Sequence, residues 1–121
     1  MNRLVCTGCR QSFPLTERAW RCPCGGLLDL EFASAFPIER IKSRKPTLWS
    51  YREALPVHRE GNIISFDEGF TPLVPVDFEG RPVWVKQDHL FPTGSYKDRG
   101  ASVLMSRVKE MGIPRVVEDS S

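Results

Sequence analysis

Ten consecutive residues decide the expected fold of this chain: Pro92-Thr93-Gly94-Ser95-Tyr96-Lys97-Asp98-Arg99-Gly100-Ala101. Proline, glycine and hydroxyl residues open the stretch as a turn, and the pattern that follows predicts a helix from about Ser95 to Met111. Apolar, strand-forming residues lie on either side of this helix, at 83–87 and at 116–118. Strand, helix and strand at this spacing are typical of a parallel sheet. We therefore predict an α/β domain with an open parallel sheet.

Lys97 lies on the apolar side of the predicted helix. At about 100° per residue, Ala101, Leu104, Val108 and Met111 fall within about 40° of it. A lysine at a helix start more often extends its ammonium into water. Here the preceding turn and the positive end of the helix dipole favour a neutral, nucleophilic amine. The carboxyl end of a strand is also where open α/β sheets bind ligands, so the position suits a Schiff-base lysine.

The rest of the chain divides into three stretches. Residues 61–121 begin the α/β domain, with short strands expected at Ile63–Phe66 and Leu73–Val76 and a hairpin-type turn at 77–82. Residues 31–60 form a connecting segment, with a short helix predicted at 48–55 and ended by a proline. Residues 1–30 hold all four cysteines.

The cysteines are spaced as Cys6-x2-Cys9 and Cys22-x-Cys24, followed by two glycines. Two close pairs of thiolates can converge on one tetrahedral zinc ion. Two disulfides are the alternative, but the rest of the chain is typical of the cytosol, where thiols stay reduced. We predict a small zinc-ribbon-like module with four cysteine ligands, a ligand set that makes its metal structural rather than catalytic.

Charge and length exclude several classes of protein. The 121 residues carry 17 basic and 15 acidic side chains, so the net charge of +2 predicts neither nucleic acid nor membrane as a partner. A signal peptide and a run of about 20 apolar residues are both lacking, which favours a cytoplasmic protein. The chain stops just after a predicted strand, so we expect it to be a fragment of a longer protein.

The stretch from Pro92 to Ala101 resembles the lysine motif of fold type II pyridoxal-phosphate (PLP) enzymes, the tryptophan synthase β-like group. Within that group, Glu68-Gly69-Phe70-Thr71-Pro72-Leu73 is similar to the E-G-x-T-P-L segment of threonine synthases. Three further features match the same family: Trp49-x-Tyr51 followed by Leu55-Pro56, the cysteine ribbon ending in C-G-G, and Glu118-Asp119-Ser120-Ser121. The resemblance covers nearly the whole chain, as the N-terminal portion of such an enzyme.

This resemblance implies a PLP-dependent lyase of amino-acid biosynthesis that converts O-phosphohomoserine and water to threonine and phosphate. Lys97 would be the catalytic and cofactor-binding residue, and Ser120 and Ser121 would begin the loop that holds the substrate carboxylate. Asp98 and Arg99 would be structural. The family also implies a homodimer for the full-length protein. The family's phosphate-binding loop is not in this sequence, so we expect the 121 residues alone to be inactive.

Two residues of this chain depart from the family's sequence pattern. Tyr96 replaces the usual phenylalanine, and Phe70 stands where many relatives have a small or polar residue.

Another fold type II enzyme, such as a threonine or serine ammonia-lyase, is the nearest alternative function. A zinc-ribbon binding module without catalysis is an alternative of a different class, against which the balanced charge argues.

Overall fold

The computed structural model describes residues 2–118, which fall into two units, Met1–Ala35 and Phe36–Ser121. The division lies within the stretch 31–60 that the sequence predicts to be a connecting segment, and residues 36–60 are part of the second unit. Within the described residues, every helix is too short or too polar to cross a membrane.

The first unit is a three-stranded antiparallel sheet. Its strands are β1 (Arg3–Cys6), β2 (Ser12–Phe13) and β3 (Leu28–Glu31), in the order β2-β1-β3. Its buried apolar residues are Val5, Cys6 and Cys22. Such a small core supplies little stabilisation by itself, and domains of this size usually need a metal or disulfides as well.

The described part of the second unit, residues 36–118, contains two α-helices, a β-hairpin and three short 3-10 helices. The α-helices are α1 (Ile38–Ser43) and α2 (Asp98–Glu110). The strands are β4 (Leu73–Phe78) and β5 (Arg81–Lys86), and the 3-10 helices span Leu48–Ala54, Glu60–Asn62 and Asp88–Leu90. The helix predicted at 48–55 is confirmed as a 3-10 helix, with the Thr47 hydroxyl accepting a hydrogen bond from the Trp49 N–H.

Strands β4 and β5 form a hairpin around Glu79 and Gly80. Both residues have positive φ, 52° and 75°, as in a type I′ turn, whose twist matches that of the two strands. A two-residue turn permits only antiparallel pairing. The predicted hairpin-type turn is thus confirmed.

The parallel sheet is not present among residues 2–118, where every strand pair is antiparallel. Two predicted strands, Ile63–Phe66 and Val116–Glu118, have no regular structure. The physical reason at Ile64 is that side chains of α2 bind its backbone. Its N–H donates to the Ser106 hydroxyl at 2.8 Å, and its carbonyl accepts from the Ser102 hydroxyl at 2.9 Å.

Helix α2 begins three residues later than predicted and buries the opposite face. Asp98, Ser102 and Ser106 are at most 8% exposed, whereas Leu104 on the apolar face is 60% exposed. The hydroxyls of Ser102 and Ser106 find backbone acceptors, so burying them costs little. The apolar face lacks the parallel sheet on which we expected it to pack.

Candidate functional sites

Lys97 immediately precedes α2, at the end of a tight turn. Gly94 has a φ of 74°, which a side chain would disfavour, and this lets the chain reverse before the helix. The Lys97 N–H donates to the Ser95 hydroxyl at 3.2 Å, and its carbonyl accepts the hydrogen bond from Ala101 at 2.9 Å. The N-cap of α2 is Lys97, which makes no side-chain capping hydrogen bond. Lys97 is exposed, although it lies on the apolar side of the predicted helix.

Asp98, the residue after Lys97, stabilises the turn that precedes Lys97. This carboxylate is 8% exposed and accepts hydrogen bonds from both the N–H and the hydroxyl of Thr93. Because Asp98 and Thr93 flank the turn, their two bonds close it into a ring. These bonds give Asp98 the structural role that the resemblance implies.

Arg99 connects the helix start to the rest of the unit. Its guanidinium contacts both carboxylate oxygens of Asp88, at 3.1 and 3.2 Å, and stacks over the Phe91 ring at 4.9 Å. Asp88 also accepts a hydrogen bond from the Thr71 hydroxyl at 2.6 Å. The Thr71 hydroxyl and then Arg99 lower the pKa of Asp88 against the opposing effect of burial. Asp88 thus links the 68–73 loop to the first turn of α2.

Glu68 is a second buried link between that loop and α2. Its side chain is 1% exposed and accepts hydrogen bonds from the Trp49 indole at 3.0 Å and from the Ser65 hydroxyl at 2.9 Å. The same indole N–H lies 2.9 Å from the Ser102 hydroxyl of α2. Sequence reasoning assigned Glu68 no role, because a lone glutamate in a turn-rich loop is usually a surface residue.

The two unusual aromatic residues are both at the surface. Phe70 has a φ of 49°, is 51% exposed and stacks on the Tyr51 ring with centroids 5.9 Å apart. A positive φ strains a residue with a side chain, and such strain is often found at functional loops. Tyr96 is 69% exposed, so water can satisfy its hydroxyl.

One feature of the described residues that fits PLP is the primary amine of Lys97, an exposed residue, because an amine can react with the cofactor's aldehyde. A pyridoxal ring and phosphate need further contacts beyond this amine. Ser120 and Ser121, the predicted substrate-binding residues, lie outside the described residues.

The four cysteines of the first unit converge on one point. Their sulphurs all lie within 4.8 Å of one another, with Cys6 and Cys24 3.5 Å apart and Cys9 and Cys22 3.6 Å apart. A disulfide would require about 2.0 Å, and all four thiols are free. Zinc bonded at about 2.3 Å in a tetrahedron separates its sulphur ligands by about 3.8 Å, so the cluster fits this ion.

Backbone N–H groups surround the Cys6 sulphur. Gly8 and Cys9 donate to it at 3.3 and 3.4 Å. The N–H groups of Cys9 and Gly8 lower the pKa of Cys6 to about 6, against the opposing effect of burial. By contrast, the Cys24 N–H lowers the pKa of Cys22, but burial and the neighbouring thiols outweigh it and raise that pKa to about 12.

Gly26 shows how closely the chain wraps the cluster. A Cβ added there would lie 2.6 Å from the Cys6 sulphur, closer than real contacts allow, and 3.2 Å from the Gly8 nitrogen, which is a tight contact. Only glycine therefore fits between the two cysteine turns. This close approach is a property of the fold around the sulphurs, and it is consistent with a preformed metal site.

Comparison with known proteins agrees with the lysine motif. Residues 64–121 match a family described as pyridoxal-phosphate dependent enzyme. This chain is related to those enzymes. It is 34% identical to a threonine synthase of Methanocaldococcus jannaschii over 118 residues, which cover 89% of this chain and 29% of that protein. The predicted resemblance is thereby confirmed.

Two further relatives have the same name. A threonine synthase of Methanosarcina acetivorans is 34% identical over 125 residues, covering 96% of this chain and 30% of its own length. One from Synechocystis sp. is 39% identical over 74 residues, covering 56% of this chain and 19% of its own. The chain thus spans less than a third of the length of these relatives.

Proposed function

We propose that this chain is part of a PLP-dependent lyase of the threonine synthase type, which converts O-phosphohomoserine and water to threonine and phosphate. The observation that carries the proposal is the family match over 64–121, which includes the lysine stretch at 92–101. The similarity to threonine synthases supports the choice of reaction within that family. Catalysis by the complete protein, as a homodimer, is part of the proposal.

Lys97 is the proposed Schiff-base lysine. Bound PLP supplies an electron sink for the substrate carbons. The Lys97 amine provides the nucleophile that attaches the cofactor, and it then moves protons to and from the substrate as a general acid–base. Ser120 and Ser121 are the proposed contacts to the substrate carboxylate.

The contacts around Lys97 suit this role because they hold its backbone in place, and the residue itself is exposed. Asp98 closes the preceding turn through Thr93, and Arg99 fixes the helix start to Asp88. A residue whose backbone is held by its neighbours loses little further freedom when its side chain reacts.

The test uses the full-length parent protein with PLP. We expect a visible absorption band that borohydride removes, with the reduced adduct mapped by peptide mass spectrometry to Lys97. Lys97→Ala should abolish the band. The matched control is Lys109→Ala, because Lys109 is another exposed lysine, near the far end of α2, and its replacement should leave the band intact. An adduct on another lysine would refute the assignment.

We also propose that Cys6, Cys9, Cys22 and Cys24 hold a structural zinc ion. The sulphur separations and the glycine-lined approach support this, as does the small core of the first unit. Zinc binds thiolates, so a bound ion would displace the thiol protons of its cysteine ligands. It would also link the two cysteine turns. We expect one zinc per chain by metal analysis, and Cys9→Ser together with Cys22→Ser should remove it. A metal-free wild-type chain purified with zinc present would contradict the proposal.

A further inference from the structure

The four thiols are arranged as two pairs, each with one exposed and one buried member. Cys24 is exposed and lies 3.5 Å from Cys6, which is fully buried. Cys9 is exposed and lies 3.6 Å from Cys22, which is 4% exposed. A soluble oxidant can therefore reach one sulphur of each pair, and the second sulphur is already in contact with the first.

We propose that this cluster is a site of reversible oxidation by hydroperoxides, which forms the Cys6–Cys24 and Cys9–Cys22 disulfides and releases the bound metal. The release of metal rests on the proposed zinc site, whereas the disulfide pattern rests on the sulphur positions alone. This chemistry is independent of the lysine motif.

Each pair reacts in two steps that consume one peroxide. The thiolate of the exposed cysteine attacks a peroxide oxygen and the O–O bond breaks. The sulphur becomes a sulfenic acid, and the other oxygen takes a proton from solvent and leaves as water, or as an alcohol when the oxidant is an organic hydroperoxide. The buried sulphur then attacks the sulfenic sulphur. The S–S bond forms, the S–O bond breaks, and a second water leaves. Two electrons pass from each sulphur pair to the peroxide, and a thiol reductant reverses the change.

The fold allows this change with little movement. Each pair must shorten from about 3.5 Å to about 2.0 Å, which is within the reach of side-chain rotation. Gly25, between Cys24 and Gly26, has a φ of 87° and open space around it, so this turn can adjust. Both disulfides join one cysteine turn to the other. They would replace the link that the metal provides, so the unit should stay folded after oxidation.

Four cysteines allow three pairings, and trypsin separates the pairing with disulfides within each turn from the two pairings with disulfides between the turns. Arg10, Arg18 and Arg21 lie between the cysteine turns, so cleavage puts Cys6 and Cys9 on one peptide and Cys22 and Cys24 on another. Disulfides between the turns therefore give one cross-linked pair of peptides. Disulfides within the turns give two separate peptides, each closed on itself.

The experiment treats the zinc-loaded 121-residue chain with hydrogen peroxide. Zinc release is followed with a chromogenic chelator, and the peptides are analysed by mass spectrometry after alkylation of free thiols. We expect cross-linked peptides to appear in parallel with zinc release, and a thiol reductant to reverse both. Retained zinc, separate peptides with internal disulfides, or sulfinic acids as the main products would overturn the proposal.

Two double variants test the assignment of partners. Cys9→Ser with Cys22→Ser leaves Cys6 and Cys24, one exposed and one buried thiol in contact. Cys9→Ser with Cys24→Ser leaves Cys6 and Cys22, which are both buried. We expect the first to form its disulfide at least about tenfold faster, because exposure controls oxidation. Equal rates would refute the assigned partners. If the wild-type chain binds no zinc, only the metal proposal fails, and the peptide pattern still decides the oxidation proposal.

Discussion

Replacing Gly69 with alanine should destabilise the second unit more than any other single glycine replacement in it. Gly69 has a φ of 114°, and an added Cβ would lie 2.5 Å from the Leu48 nitrogen and 3.2 Å from the Leu48 Cα. These are backbone atoms, which cannot rotate away. The same Leu48 nitrogen donates a hydrogen bond to the Glu68 carbonyl at 2.7 Å, so moving it also disturbs that bond.

Three costs add up for Gly69→Ala. The positive φ costs an alanine about 1–2 kcal/mol, and forcing the backbones apart costs about 1–3 kcal/mol. Weakening the Leu48 hydrogen bond adds about 1 kcal/mol. The expected loss is therefore about 3–6 kcal/mol, a large share of the roughly 5–15 kcal/mol by which domains are stable.

Two other glycines separate these costs. Gly80 also has a positive φ, 75°, but has nothing within 4 Å of an added Cβ, so Gly80→Ala should cost only about 1–2 kcal/mol. Gly100 lies inside α2, also with nothing within 4 Å, and Gly100→Ala should stabilise the unit by about 0.5–1 kcal/mol. The order of stability should be Gly100→Ala, wild type, Gly80→Ala and then Gly69→Ala.

Urea unfolding of the 121-residue chain, followed by tryptophan fluorescence, measures these differences. Trp49 is 7% exposed and reports on the second unit, whereas Trp20 and Trp84 are 69% and 66% exposed and change less. If Gly69→Ala lowers the free energy of unfolding by no more than Gly80→Ala does, the backbone at Leu48 moves aside at little cost. The prediction based on the close contact is then refuted.

Two further predictions concern paired polar groups. The Arg44 guanidinium lowers the pKa of Glu53 from 4.5 to about 2, so this pair stabilises the fold above pH 4.5 and loses that effect as the pH falls toward 2. Stability of wild type and Glu53→Gln should therefore converge across that range in urea titrations, and a constant difference would contradict the assignment. Trp49→Phe removes the N–H donor to buried Glu68 and should lower the free energy of unfolding by about 1–3 kcal/mol, as measured by urea unfolding followed by circular dichroism. Ser102→Ala should cost less, because Glu68 keeps its indole donor, and the reverse order would refute this network.

Local pattern was sufficient for several features of the chain. The cysteine spacing predicted a cluster, and the sulphurs do converge. The turn residues at 77–82 predicted the hairpin, and the stop signal at a proline predicted a short helix at 48–55, which the structure shows at 48–54. These features depend on residues close in sequence, whose preferences are set by local backbone geometry.

The packing of α2 could not be predicted from the spacing of the apolar residues in its sequence. Its apolar stripe predicted a buried face beside Lys97, yet the buried residues are Asp98, Ser102 and Ser106. The hydroxyls bind the Ile64 backbone, a partner 38 or more residues away in the chain. Hydrogen-bond partners at that separation leave no periodic signal in the sequence.

Amino-acid order alone was enough to find the lysine motif, the positions of the turns and the set of four cysteines, because each is a short-range pattern. The folded arrangement was needed to show that Glu68 and Asp88 bind α2 to the 68–73 loop, and which cysteine lies beside which. Those facts depend on distances between segments that are remote in the chain. A polar side chain is buried only where folding brings it next to a hydrogen-bond partner, and the sequence alone does not identify that partner.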